Sequence, residues 1–196
     1  MAAPVKVLMY RSSSFNGAVW NMQYRLGMWD RIDSGTGAPI LALLQKYTTN
    51  PAILDLGCGR SLNLQLAADK YRRYHGVDIS SNSIRTARKY AHPNCTFEVG
   101  DVLRYDTRER FDAILLREIL YYLPKPEAAP FLRRITRFLE PGGVVLVQFW
   151  DRSACAEFID IVLNSGLRVL QDSVSKANGG PESTVIVLQS PALTPT

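Results

Sequence analysis

The stretch Ile53-Leu54-Asp55-Leu56-Gly57-Cys58-Gly59-Arg60 decides how the rest of the chain is read. A short apolar run ends in a carboxylate and then breaks on two glycines with one residue between them. Such a run is too short for a helix and has the length of a buried strand. Glycines at its carboxyl end let the backbone turn sharply and approach a ligand that a Cβ would exclude. Beyond them, Leu62, Leu66 and Ala67 give the segment from Ser61 to Tyr71 helical spacing. The unit is a strand, a glycine loop and a helix. A second short strand, Tyr74-His75-Gly76-Val77-Asp78, also ends in a carboxylate, 23 residues after Asp55. An acid placed there can accept hydrogen bonds from both ribose hydroxyls of a nucleoside.

Outward from this unit the same alternation continues. Ser80 or Ser81 caps a predicted helix running to about Ala91, with Ile84, Ala87 and Ala91 inward and His92-Pro93-Asn94 as its stop. Thr96 to Val99 forms a third strand, and Phe111 to Leu116 a fourth. Ala128, Phe131, Leu132, Ile135, Phe138 and Leu139 then repeat at helical spacing up to Pro141-Gly142-Gly143. Strand five, Val144 to Phe149, is apolar on both faces and so belongs in the middle of a sheet. A helix over Ala154 to Leu163 follows. Leu167 to Leu170 and Thr184 to Leu188 are two strands joined by Asn178-Gly179-Gly180-Pro181 with no helix between them, hence antiparallel partners at one edge. Ahead of the first strand, Phe15 to Asp33 is rich in aromatics, and Trp20 and Tyr24 share a helix face. Those rings either pack an accessory helix onto the sheet or roof a ligand pocket. The loop Asp33-Ser34-Gly35-Thr36-Gly37 leads to a helix that starts near Pro39.

Asp-Leu-Gly-Cys-Gly followed by Gly-Val-Asp-Ile-Ser resembles the first two motifs of the class I S-adenosylmethionine-dependent methyltransferases. Phe97-Glu98-Val99-Gly100-Asp101-Val102, Phe111-Asp112-Ala113-Ile114-Leu115-Leu116-Arg117-Glu118 and Pro141-Gly142-Gly143 before Val144 are similar to three further segments of that family, in order. Ser61 stands where the family usually has a third loop glycine. The resemblance implies an α/β fold: a Rossmann-like, doubly wound sheet of seven strands with an antiparallel last strand, in a three-layer sandwich. It covers roughly residues 50 to 190, leaving 1–48 as accessory or lid helices and 191–196 as a tail of one methyltransferase domain, 1–196.

The resemblance also implies the cofactor, S-adenosyl-L-methionine, with S-adenosyl-L-homocysteine as product, and its residues. Asp78 would take the ribose hydroxyls and Asp101 the adenine amino group, with Ile79 and Val102 beside them. Gly57 and Gly59 would approach the ligand through backbone atoms. Asp55 would brace the loop or reach the amino group through water. Arg117 and Glu118, at the mouth of the fourth strand, would meet cofactor and acceptor, Arg117 orienting an anionic acceptor and Glu118 positioning or deprotonating it. The alternative for that pair is an ion pair at a helix start.

Composition bounds the remaining choices. A chain of 196 residues with 46% apolar and 21% charged residues can bury a core of its own. No run approaches the roughly 20 apolar residues of a membrane span, and Met1 to Tyr10 lacks the pattern of a secretory signal. Three cysteines without metal spacing point to a reducing cytoplasm and no metal. A formal charge of +5 admits a nucleic-acid partner, but the basic residues are scattered rather than gathered into a groove. No Asn/Asp-Pro-Pro-aromatic stretch follows the fourth strand, which favours a small-molecule acceptor. Methyl transfer from a sulfonium is an in-line displacement in which positioning supplies much of the acceleration, so no catalytic triad is required. An RNA acceptor, or a module that binds the cofactor without turnover, are the alternatives. A dinucleotide oxidoreductase would need glycine where Leu62 stands. The chain is expected to be a monomer or a homodimer.

Overall fold

The computed structural model describes residues 12–28, 38–65, 67–176 and 182–190. Met1 to Tyr10, the 33–37 loop, the 178–181 loop and the tail over 191–196 lie outside those residues. Seven strands form one sheet: β1 (Ala52–Leu56), β2 (Arg73–Asp78), β3 (Cys95–Val99), β4 (Phe111–Arg117), β5 (Leu139–Phe149), β6 (Arg168–Lys176) and β7 (Glu182–Gln189). Their order is β3-β2-β1-β4-β5-β7-β6. The first five are parallel, and β7 runs antiparallel to β5 and to β6. The helices are α1 (Ser13–Arg25), α2 (Ala38–Leu44), α3 (Leu62–Gln65), α4 (Ser81–Lys89), α5 (Lys125–Ile135) and α6 (Ala156–Leu163). This is the doubly wound arrangement with an antiparallel last strand.

Each sheet face has its own core. On one, Leu54, Leu56, Ile114, Leu116, Val145 and Val147 pack under α5 and α6 through Phe131, Leu132, Ile159 and Val162. On the other, Ile53, Ala113, Leu115, Val144 and Leu146 pack under α2 and α4 through Ile40, Leu44, Ile84 and Ala87. β1 is buried along its whole length, which is why its run of aliphatics does not alternate with polar residues. The strand order reverses between β1 and β4, and open α/β sheets bind ligands outside the carboxyl ends of the strands at such a switch.

Three elements differ from the sequence-based expectation. The helix after the glycine loop stops at Gln65 and gives way to a 3-10 turn at Ala68–Lys70. Its Leu64 carbonyl accepts from Ala67 N and from the Tyr71 hydroxyl at 2.9 Å, which closes the helix early. The next long helix ends at Ile135, and β5 already begins at Leu139. Pro141, Gly142 and Gly143 thus lie inside β5, at a register shift opposite Phe111 to Ala113, with Gly142 at φ 83°. α1 begins at Ser13, ahead of the aromatic stretch from Phe15, with Ser12 capping it by accepting from Phe15 N.

α1 lies on the molecule in an unusual way. It buries Asn16, Gly17 and Gln23 and exposes Phe15, Met22 and Leu26. Its fastening is polar. The Asn21 side-chain oxygen accepts from Ser80 Oγ at 2.8 Å and from Asn82 N at 3.0 Å, and Asn82 Nδ2 donates back to the Asn21 carbonyl. At its amino end, the Ser13 hydroxyl donates to Asp101. One aromatic contact joins it to the mouth of β4, Trp20 edge-on to Tyr122 at 4.8 Å between centroids.

Candidate functional site

The carboxyl ends of β1 to β4 bring together Asp55, Gly57, Gly59, Asp78, Ile79, Asp101, Val102, Arg117 and Glu118. The glycine loop turns through left-handed backbone at Gly57 (φ 80°), Gly59 (φ 57°) and Ser61 (φ 51°). At Ser61 a side chain occupies a conformation that costs an L-residue roughly 1–2 kcal/mol. What offsets this is visible. Tyr74 gives its one hydroxyl proton to Asp55 Oδ2 at 2.7 Å, so the buried Ser61 hydroxyl donates to the Tyr74 oxygen. A glycine at position 61 would leave that hydroxyl pair without its last member. Gly57 was expected to be bare so that a ligand could come close. Instead the space where its Cβ would sit holds the side chain of Ile119, only 2.2 Å away. Glycine is needed there for its backbone conformation and to seat the residue that follows Glu118.

Asp78 holds the loop from the neighbouring strand. Its Oδ2 accepts from Gly59 N at 2.9 Å, and its Oδ1 accepts from Ser80 N at 2.8 Å and from Ser83 Oγ at 3.1 Å. Only 8% of this residue is exposed. Burial raises its pKa, and the donors from Ser80, Gly59 and Ser83 oppose the shift. Asp101 is held on Oδ1 by Leu103 N at 3.0 Å and on Oδ2 by Ser13.

The Arg117 side chain turns to β1, where its ion-pair partner is Asp55 rather than Glu118. Its Nη2 lies 2.7 Å from Asp55 Oδ2, with Arg117 9% exposed and Asp55 fully enclosed. Burial disfavours the guanidinium charge, yet Asp55 outweighs it and holds the Arg117 pKa above its ordinary value. Among the described residues, three buried polar atoms of the strands have no hydrogen-bond partner: Asp55 Oδ1, Arg117 Nε and Gln148 Oε1. The three residues belong to β1, β4 and β5, and Arg117 pairs with Gln148 across the last two. Buried polar atoms are rarely left bare, and an orphaned acceptor beside an orphaned donor suits a ligand that carries both.

Glu118 follows β4 in a left-handed conformation, φ 60°, with its amide donating to the Gln148 carbonyl. Its Oε2 accepts from Trp150 N at 2.9 Å and from the Tyr121 hydroxyl at 3.2 Å. Burial pushes its pKa from 4.5 up to about 7 against those two donors and Arg117. Tyr121 stacks obliquely between Tyr122 and Phe149, so the carboxyl sits beside an aromatic wall. Sequence reasoning missed Tyr74, Gln148, Ile119 and Asn21. For Gln148 a signal existed, since it is the one amide in the run Val144 to Phe149 and shares the parity of Val144 and Leu146.

A family model described as a methyltransferase domain matches residues 53–143, the span from β1 to the start of β5 that carries this site. That span is a methyltransferase domain. A Streptomyces fradiae dTDP-3-amino-3,6-dideoxy-alpha-D-glucopyranose N,N-dimethyltransferase is 26% identical over 133 residues, covering 63% of this chain and 52% of that protein. A ubiquinone biosynthesis O-methyltransferase of Bradyrhizobium sp. (strain ORS 278) is 30% identical over 104 residues, 52% of this chain and 40% of that one. The chain thus spans about half the length of these curated relatives. Among solved structures, the 1,6-didemethyltoxoflavin-N1-methyltransferase of Burkholderia thailandensis superposes with a TM-score of 0.73 at 17% identity, covering 96% of this chain and 94% of that one. The N-methyltransferase NodS of Bradyrhizobium japonicum WM9 gives 0.67 at 19%, with 78% and 93% covered. These two likenesses show the methyltransferase fold. Among the described residues of this methyltransferase domain, no helix is long and apolar enough to cross a membrane, and no cluster of ligating side chains could hold a metal ion.

Proposed function

We propose that the chain transfers a methyl group from S-adenosylmethionine to a small-molecule acceptor presented at the mouth of β4. The observation that carries this reading is the unpartnered Asp55 Oδ1 and Arg117 Nε beside the glycine loop. An amino acid's ammonium suits the first and its carboxylate the second. Asp78 takes the ribose. A carboxylate has about four lone-pair sites, and three are engaged by Gly59, Ser80 and Ser83. The Ser83 hydroxyl also donates to the Ser80 carbonyl at 2.9 Å, so committing its proton there frees a second site for the diol. Asp101 and Val102 border the adenine, and an adenine amino group reaching Asp101 shares the carboxylate with Ser13.

The bound cofactor would supply an electrophilic methyl on a sulfonium. The protein's part is placement and proton handling. Both hydrogen bonds to Glu118 arrive at Oε2, which leaves Oε1 to accept a proton from the acceptor as it becomes nucleophilic. A small-molecule acceptor is supported by the relatives, whose names include an amino-sugar nucleotide and phosphoethanolamine as acceptors. Calorimetric titration tests the reading. S-adenosylhomocysteine should bind at one site, and binding of NADH in its place would overturn the proposal.

Glu118 also gives a pH dependence of defined sign. Its folded pKa of about 7 lies above the ordinary 4.5. Between those values the folded state holds more protons than the unfolded state, so this group's contribution is complete below 4.5 and declines as pH rises through 7. Activity that needs the ionised carboxylate should rise over the same range. Glu118→Gln should flatten both profiles between pH 5 and 8, read by urea denaturation and by methyl transfer at each pH. An unchanged activity profile in the variant would remove Glu118 from proton handling.

A further inference from the structure

At the mouth of β4 a carboxylate stands among aromatic rings. Among the described residues Glu118 forms no ion pair. Arg117, beside it in sequence, is committed to Asp55, and Arg152, just past Trp150, is committed to Asp172. Glu118 is held instead by two neutral donors, Trp150 N and the Tyr121 hydroxyl, both on Oε2. The rings come from three elements. Tyr121 and Tyr122, in the 3-10 turn Leu120–Tyr122, lie 4.5 Å apart between centroids. Trp20 of α1 meets Tyr122 edge-on, and Phe149 at the end of β5 lies 6.4 Å from Tyr121. Glu118, Tyr121, Tyr122 and Trp20 are each half-buried, so each keeps some surface that a ligand can touch.

A carboxylate without a paired cation repels an anionic acceptor and attracts a cationic one. A ring face is the negative end of the aromatic quadrupole, so the wall favours the same sign of ligand as the carboxylate does. Charge and ring chemistry both select a cation. We propose that the methyl acceptor is an amine, bound as its ammonium ion between Glu118 and the rings of Tyr121, Tyr122 and Trp20. This rests on the methyltransferase reading above and adds the substrate class: a nitrogen nucleophile rather than a hydroxyl or an anion. The step balances with these groups. Glu118 Oε1 takes one proton from the ammonium, which restores the nitrogen lone pair. That pair forms the new N–C bond as the S–C bond breaks, and the electrons of the broken bond stay on sulfur as a neutral thioether. The methylated nitrogen emerges positively charged, the form that the ring faces stabilise, and the proton passes from Glu118 to solvent.

Choline and its neutral isostere 3,3-dimethyl-1-butanol are the probes, titrated separately by calorimetry at pH 8 into protein saturated with S-adenosylhomocysteine. Choline should bind, and the isostere should bind about fivefold more weakly or worse, the worth of one cation–π contact. Glu118→Gln and Tyr122→Leu should each lower choline affinity by about fivefold or more while S-adenosylhomocysteine binds as before. The glutamine variant keeps the shape of the side chain, so it reads the charge even where loss of a ring disturbs the turn. Equal affinity for the two probes overturns the amine assignment, and so does choline affinity unchanged in either variant. Wild type that takes S-adenosylhomocysteine but ignores choline overturns it too, and leaves the methyltransferase reading standing. Failure of S-adenosylhomocysteine itself to bind removes the amine assignment along with that reading.

Discussion

Replacing Arg117 by methionine should destabilise the fold by about 3–5 kcal/mol, because it strands the Asp55 carboxylate in the interior without its cation. Asp55 is completely enclosed, and among the described residues its one charged contact is the 2.7 Å pair with Arg117. The Tyr74 hydroxyl would remain as a neutral donor to the same oxygen, which softens the loss without cancelling it. The double variant Asp55→Asn/Arg117→Met should recover much of the stability, since removing both charges also removes both desolvation costs. Urea denaturation of the two single variants and the double closes the cycle. A single Arg117→Met variant within about 1 kcal/mol of wild type would match an exposed pair instead, and the enclosed-pair account would fall.

Asp78→Ala should weaken binding of S-adenosylhomocysteine by about two orders of magnitude or more. Two charge-assisted hydrogen bonds to the ribose are lost, each worth roughly 1.5–3 kcal/mol, and each 1.4 kcal/mol is a factor of ten. Part of the effect is indirect. Gly59 N, Ser80 N and Ser83 Oγ all donate to this carboxylate, so the variant also loosens the glycine loop and the cap of α4. The thermal midpoint should therefore fall as well, and Asp78→Asn, which keeps an oxygen for Gly59, separates the two contributions. Affinity in Asp78→Ala within threefold of wild type, measured by calorimetry, would refute the ribose assignment.

Much of the framework could be read from residue order alone. The aliphatic runs at Ile53, Phe111 and Val144 are buried on both sheet faces, and a fully buried strand has no alternation to misread. The Ser80 cap and the inward Ile84 and Ala87 of α4 appear as expected because cap and apolar face agree locally. What escaped was set by contacts distant in sequence. The hydroxyl of Tyr71 cuts α3 short, and the pairing of Leu139 with Phe111 on β4 starts β5 ahead of the Pro-Gly-Gly segment. At the site, position 117 was legible as important but its direction was not. A side chain at the end of a strand can turn to solvent or to its neighbours, and only the nearness of Asp55 on β1 settles which.

The inward polar face of α1 bears on how its detachment would be observed. Lifting the helix would uncover the buried Asn16 and Gln23 and break the Asn21 bonds together with the Trp20–Tyr122 contact. Exposed polar surface lowers heat capacity where apolar surface raises it, so such an opening carries a small heat-capacity change. It also contributes little to the denaturant slope, which follows newly exposed area. Neither a melting curve nor a urea titration would register this motion. Amide hydrogen exchange along residues 13–25 would, because each opening frees backbone hydrogens that the closed helix protects.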